Sequence, residues 1–532
     1  MNSSSQTTDE AISEFARISG LKSPDFEAKP RPTGSALVIR IAQPSERFFQ
    51  AALDVAAAAD PTEITSITVK KGIPKNRLQS PEAKYFLRVL SESLNINRFS
   101  FGEEFFDRYT RSVSNAEDRI LANANHVVYG RRGAGKSSLL LYSLRTREKE
   151  GLLSAWIDMQ VFERRGDPKV VVDILLEVIR QLIIAAGINP LLQSVEADLK
   201  RFRSRNDADE NKLRLLLPEV RNALASMGKV FIFLDDFHVL EQDAQPTLLG
   251  LLYSVTRGNN IYLKLSAIET LTRTWDTKRH AGLQIPQDAQ TIMLDYNLTM
   301  PEKASEHIEG ILDAHALYCG LPSVKYLCNS PDVLARLVWV SAGVPRDALN
   351  MFTQAISKAS TAARSKVSVS DVNMATSEML SQKMRELDVD LAGAPDRPSI
   401  SAVLEGIKDF CVKQHKINAF LIEIRMIDPL YKEVLKLVDL RLLHVISEGV
   451  TVGEAGRKYL ALILDYGLYT GIRAAPSVDL FNKAMQRVSR KELRTLPVLK
   501  KLDMPKDGSN NPHTGATANL PSSTPPIPQK VR

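Results

Sequence analysis

The sequence predicts an α/β fold in which a parallel sheet carries a phosphate-binding loop, and four stretches predict it. Gly130-Arg131-Arg132-Gly133-Ala134-Gly135-Lys136-Ser137 fits the pattern G-x-x-x-x-G-K-[ST]. His126-Val127-Val128-Tyr129 before it reads as a short buried strand, and Ser138-Leu139-Leu140-Leu141-Tyr142 after it opens a helix, so the loop falls at a strand-to-helix turn. Further along, Lys229-Val230-Phe231-Ile232-Phe233-Leu234-Asp235-Asp236 is an unbroken apolar run ending in two carboxylates. That is the pattern of a strand buried on both faces, which delivers acids to the carboxyl edge of the sheet where ligands bind.

The residue types in these stretches fit phosphate chemistry. The glycines at 130, 133 and 135 let backbone N–H groups curl around phosphate oxygens, so Gly130, Arg131, Arg132, Gly133, Ala134, Gly135, Lys136, Ser137 and Ser138 form the candidate nucleotide-binding set. Lys136 can reach the outer phosphates, and the Ser137 hydroxyl can ligate Mg²⁺. Asp235 takes the role of the acid that holds Mg²⁺ through its water shell, and Asp236 that of the general base that polarises or orients the attacking water.

Three later stretches extend the pattern: Tyr262-Leu263-Lys264-Leu265-Ser266-Ala267, Ser341-Ala342-Gly343-Val344-Pro345-Arg346-Asp347-Ala348-Leu349, and Val369-Ser370-Asp371-Val372-Asn373-Met374-Ala375. With the loop and the acidic strand, over residues 101–380, they resemble an AAA+ ATPase of the origin-recognition type or of the related signal-transduction ATPases called STAND. The resemblance implies that 262–267 is a strand lying between the loop strand and the acidic strand. Its polar end, Ser266, would sense the γ-phosphate, with Glu269 and Thr270 just beyond. It implies that G-x-P-R belongs to a helical lid from which Arg346 reaches the nucleotide, and that 369–375 opens the closing lid helix with Ser370 as N-cap. It also implies ATP rather than GTP, and no guanine-selecting N-K-x-D stretch occurs, since Asn211-Lys212 and Asn482-Lys483 are followed by other residues. An arginine acting on a neighbouring subunit is implied too, with Arg273 and Arg279 as candidates, and hence a homo-oligomer. Two departures stand out. Asp236 replaces the glutamate of vigorous motors, which favours slow hydrolysis, and a helical insert over 169–227 follows the expected second strand at 155–159.

A chain of 532 residues with 44% hydrophobic content can bury at least two cores. The expected division is a disordered segment 1–34, an N-terminal extension 35–97, the ATPase core 98–298, the lid 299–391, a winged-helix-like domain 398–502 and a disordered tail 503–532. Within the extension, 36–41 reads as a strand and 48–59 as a helix, with no chemistry attached. The apolar stretch 170–186 carries Asp173, Glu177 and Arg180 at helical spacing, which makes it a core helix and excludes a membrane span. Cys319, Cys328 and Cys411 have neither disulfide nor metal-ligand spacing, and no secretory signal is seen, so a cytoplasmic location is expected.

In the last unit, Tyr431, Val434, Leu435, Val438 and Leu442 form a helical stripe, Gly449, Gly453 and Gly456 punctuate a turn, and 458–464 is apolar. Helix, glycine-rich turn and strand suggest a winged helix, although periodicity alone also allows a small helical bundle. Net charge is +7 with pI near 9.0. Lys483, Arg487, Arg490, Lys491, Arg494, Lys500 and Lys501 cluster against the lone acid Glu492, which suits either DNA phosphates or a solvated helix face. His238 is expected to pack beside the nucleotide site or to cap a strand rather than act as a nucleophile. The function expected is an ATP-dependent switch that controls oligomerisation and duplex DNA binding; the alternative is an ATPase that controls a partner effector protein.

Overall fold

A computed structural model of the chain describes residues 3–205, 209–294, 298, 300–390, 397–425, 427–452, 456–470, 478–481 and 488–502. The N-terminal unit runs α1 (Ser3–Ser19), β1 (Asp25–Arg31), β2 (Gly34–Ile41), α2 (Glu46–Ala58), β3 (Ile64–Lys71) and α3 (Pro81–Glu92). β2 is central, antiparallel to β1 and parallel to β3, and α2 makes the crossover with Phe48, Ala51, Ala52 and Val55 buried. From residue 3 onward the expectation of a disordered start is corrected. α1 buries Ala11, Ile12 and Phe15 against its neighbours, and β1 pairs along its whole length with β2. Ala11, Ile12 and Phe15 fall at the i, i+1, i+4 spacing of a helix face, a short amphipathic signal that the polar composition of the segment masks.

The core continues with α4 (Glu103–Asp107), α5 (Ala116–Ile120), β4 (His126–Tyr129), α6 (Lys136–Lys149), β5 (Leu153–Asp158), α7 (Lys169–Ala186), α8 (Pro190–Ser204), α9 (Glu210–Ala225), β6 (Val230–Asp235), α10 (Gln245–Thr256), β7 (Ile261–Ala267), a short hairpin of β8 (Trp275–Asp276) and β9 (Ala281–Gly282), and β10 (Gln290–Met293). Among the described residues, five strands form a parallel sheet in the order β10-β4-β7-β6-β5. β7 therefore lies between the loop strand and the acidic strand, as the resemblance implied, and the insert over 169–227 is the three helices α7 to α9. The edge strand β5 is closed by a side chain. Gln181 on α7 accepts from Trp156 N at 2.9 Å and donates to Trp156 O at 2.8 Å, which occupies a ladder position another chain could otherwise take.

The lid comprises α11 (Pro301–Tyr318), α12 (Asp332–Val340), α13 (Pro345–Thr361) and α14 (Val369–Asp390). Because α14 already begins at Val369, Ser370 lies inside the helix and the N-cap reading is corrected. Ser368 precedes it, and its N–H (2.9 Å) and hydroxyl (2.6 Å) both donate to Asp371. The N-terminal unit braces this lid. Phe86 meets Phe352 edge-on at 6.3 Å between centroids, and Arg47 lies 3.9 Å from the Tyr318 ring centre while donating to Tyr318 O at 2.7 Å.

The C-terminal unit is α15 (Arg397–Lys408), β11 (Ala419–Glu423), α16 (Pro429–Asp439), β12 (Leu443–Val450), β13 (Tyr459–Leu464) and β14 (Val498–Leu499), with sheet order β12-β13-β11-β14. A helix, a strand, a second helix and an antiparallel hairpin give the winged-helix-like form, with one helix, α16, between β11 and β12 among the described residues. Residues 459–464 are all buried and pair on both sides, which decides strand over helix for this stretch. Gly453, Asn482, Lys483, Arg487, linker residues 391–396 and the tail 503–532 lie outside the described residues. No helix among the described residues is long and apolar enough to cross a membrane.

Candidate functional site

β4 ends at Tyr129 and the chain turns through the phosphate loop into α6, whose first residue is Lys136. Gly133 (φ +79°) and Gly135 (φ +95°) take left-handed conformations that the turn requires and that other residues reach only with strain. Residues 132–139 line a cavity of about 490 Å³, within the range of small-ligand sites. Lys136 is buried and donates to Gly130 O at 3.0 Å and Arg131 O at 3.3 Å, so its ammonium rests on the loop's own carbonyls.

The acids sit where the sheet register sends them. Ser137 Oγ donates to Asp235 Oδ1 at 3.1 Å, and Ser266 Oγ donates to the same oxygen at 2.6 Å. Ser266 in turn accepts from Asp236 N at 2.8 Å. One serine on β7 thus ties both carboxylate residues, because adjacent parallel strands bring these three residues to one edge. Burial and then the neighbouring Asp236 push the Asp235 carboxyl up to about 6, against the pull of both hydroxyls and Lys136. A divalent cation beside Ser137 and Asp235 fits this donor set, since it would favour the ionised carboxylate.

Asp236 lies in a left-handed conformation (φ +58°), and its side chain lines the cavity. Gln160 Nε2 donates to its Oδ2 at 3.0 Å, and His238 Nδ1 lies 3.9 Å from its Oδ1. His238 lines the cavity beside the nucleotide loop, and burial depresses its pKa to about 4, so the imidazole is neutral. Gln160 was not singled out from sequence. The signal that could have found it is register: Asp158 pairs with Asp235, so the residue two further on stands beside Asp236.

The lid completes the wall. Arg346 lines the cavity, and its backbone N–H donates to Gly133 O at 3.3 Å. A Cβ on Gly133 would come within 2.8 Å of Arg346 Cβ, so lid and loop are in van der Waals contact. Of the predicted loop residues, Arg132, Gly133, Ala134, Gly135, Lys136, Ser137 and Ser138 line the cavity, while the Arg131 side chain turns away from it, toward the lid and the C-terminal unit. The far end of the cavity is formed by Phe105, Arg108, Tyr109, Glu117, His307 and His315, from α4, α5, the segment between them, and α11. These were not legible in sequence, because they converge from segments about 200 positions apart with no motif between them. Arg273 is ion-paired with Asp243 outside this cavity, and Arg279 donates its N–H to Asp276 at 3.1 Å; neither lines the cavity.

No protein-family model matches the chain, and no curated protein does. Solved structures do match in fold. The Aeropyrum pernix ORC1 protein, solved in complex with DNA, is 15% identical with a TM-score of 0.37, over 69% of this chain and 93% of that one. A Walker-type ATPase of Pyrococcus abyssi is 15% identical with a TM-score of 0.39, over 70% and 99%. The Drosophila ORC structure bound to DNA gives 14% and 0.35, over 78% and 95%. These are distant likenesses of overall architecture, and the chemistry above rests on this chain's own geometry. The solved structures to which this chain is similar include ORC1, ORC2 and CDC6 proteins, and the likeness is one of fold.

Proposed function

We propose that the chain binds ATP with Mg²⁺ between its parallel-sheet core and its lid, hydrolyses it slowly, and uses the nucleotide state to set its own assembly and the grip of its C-terminal unit on duplex DNA. The observation that carries this reading is that Lys136, Ser137 and Arg346 meet at one cavity, with Asp235 bonded to Ser137 behind it. Phosphates there would meet backbone N–H groups, a lysine from the core and an arginine from the lid, so nucleotide contacts would span two parts that can separate. Asp236, shorter by one methylene than a glutamate and engaged by Gln160, is the base of this reading, and its restraint supports slow turnover. Arg273 pairs with Asp243 at the surface and lies 4.0 Å from Asp276; an exposed pair of this kind is weak and can be given up to a neighbouring subunit's nucleotide.

For DNA, the support is the basic group Arg490, Lys491 and Arg494 beside the β12–β13 hairpin, with Arg494 Nε donating to Thr451 O at 3.1 Å. The test titrates wild type and Lys136→Ala with a fluorescent ATP analogue, and follows duplex DNA binding of the full chain across salt concentrations with and without ATP. Loss of nucleotide affinity in the variant is expected, together with DNA binding whose log affinity falls with log salt by about 0.9 for each phosphate contact. Equal ATP affinity for both proteins refutes the site; no DNA binding at low salt refutes the DNA half.

A further inference from the structure

Behind the phosphate loop lies a buried ionic network that joins three units of the chain. Arg131 Nη1 lies 3.3 Å from His444 Nδ1 on β12, and Arg131 Nη2 donates to Ala342 O of the lid at 3.4 Å. His444 Nε2 lies 3.1 Å from Asp465 Oδ2, and Lys383 Nζ on α14 donates to the same carboxylate oxygen at 2.8 Å. Lys383 also lies 3.4 Å from Asp347, the residue after Arg346, and Arg441 pairs with Asp347 from the C-terminal side. His444, Asp465, Lys383 and Asp347 are each 4% exposed or less in their side chains.

The hydrogen-bond chemistry fixes the tautomer. A carboxylate only accepts, so His444 carries its proton on Nε2 and presents the Nδ1 lone pair to the guanidinium, which only donates. A buried ionic network gives little net stability over apolar packing of the same volume. The two parts it joins to Asp465 are the ones that would touch phosphate. One branch runs through His444 and Arg131 to the loop, the other through Lys383 and Asp347 to the first turn of α13, which carries Arg346.

We propose that His444 of the C-terminal unit is a positioning residue for the phosphate loop, holding Arg131 so that the loop keeps its nucleotide-ready shape; this rests on the ATP reading above. Whatever moves the C-terminal unit then changes nucleotide affinity, and by linkage nucleotide changes what that unit binds. Arg131 is in this account an anchor rather than a phosphate ligand.

The test uses the full chain. Hydrogen–deuterium exchange at residues 131–135 is measured without nucleotide in wild type, His444→Leu and His444→Asn, whose side-chain oxygen takes the place of Nδ1 and keeps an acceptor for Arg131. Exchange about tenfold faster in His444→Leu and within about twofold of wild type in His444→Asn is expected. The ATP dissociation constant should follow, about tenfold weaker in the first and near wild type in the second, with turnover at saturation changed little. If His444→Leu does not fold, Arg131→Gln cuts the contact from the loop side and should loosen the loop equally. Wild-type exchange in the folded variant, or His444→Asn behaving like His444→Leu, overturns the proposal. A wild type that binds no ATP refutes the proposed function, whereas the exchange result, read without nucleotide, still decides this one.

Discussion

Replacing Lys383 by methionine should destabilise the junction of lid and C-terminal unit more than any surface change nearby. The ammonium is essentially buried, 2.8 Å from Asp465 and 3.4 Å from Asp347. Burial works against its charge, but the two carboxylates outweigh that and hold its pKa above the ordinary lysine value. Burial likewise opposes the ionised form of Asp347 and Asp465, and their cationic neighbours win, keeping both below the usual carboxylate range. Methionine fills similar volume but leaves two buried carboxylates with one partner fewer each, a change worth about 3–5 kcal/mol when a buried pair is broken from one side. For a cooperative unit of about 200 residues that is a drop in melting midpoint of roughly 6–20 °C. Differential scanning calorimetry at neutral pH measures it. The deficit should narrow on acidification, because without the ammonium the carboxylates protonate at higher pH than in wild type and their burial then costs less. Adding Asp465→Asn to the variant should cost less than the two single changes summed. A midpoint within about 2 °C of wild type, or a deficit independent of pH, would refute the argument that these charges are buried and mutually dependent.

Gly133→Ala should weaken ATP binding and destabilise the fold by about 2–5 kcal/mol, from about 1–2 for a left-handed non-glycine residue and about 1–3 for the clash; its Cβ would meet Arg346 Cβ at 2.8 Å and Val344 Cγ1 at 3.1 Å, and calorimetry with nucleotide titration reads both effects. Asp236→Asn should keep nucleotide affinity and lower hydrolysis by about 10²–10⁴-fold, whereas Asp235→Asn should change the Mg²⁺ dependence; a phosphate-release assay across Mg²⁺ concentrations separates them. Stability should fall on acidification below about pH 6.5. Burial holds His126 to about 3 and His315 to about 4, so each is neutral when folded and binds a proton first when unfolded. Their contribution is fully present above the unfolded value and declines as pH drops toward the folded one, by up to about 1.4 kcal/mol per pH unit each, with Asp235, raised to about 6, working the opposite way. Melting midpoints between pH 7 and 4.5 check this, and a flat profile would contradict neutral burial of these rings.

Local chemistry made much of the candidate site legible. A phosphate loop needs glycines, a lysine and a hydroxyl at fixed spacing, and a strand buried on both faces needs an unbroken apolar run, so 126–142 and 229–236 declare themselves within a few residues. The place of β7 between the loop strand and the acidic strand, and the assignment of the Arg346 segment to a lid, were implied by the family resemblance rather than by local spacing. Ser370 went wrong by two positions because Ser368 and Ser370 are both residues that can cap a helix, and only the backbone chooses between them. The order of α1 was missed because its polar, serine-rich composition outweighed the helical spacing of Ala11, Ile12 and Phe15, which bury against α2.

What the sequence by itself determined is therefore the phosphate loop, the acidic strand and the order of the elements around them, since each depends on neighbours along the chain. What only the tertiary structure decided is which distant residues meet: Gln160 on Asp236, the N-terminal unit against the lid, and His444 behind Arg131. Those pairings are set by sheet order and by how whole units pack, and a buried charge such as Lys383 shows its partners only once water has been excluded around it.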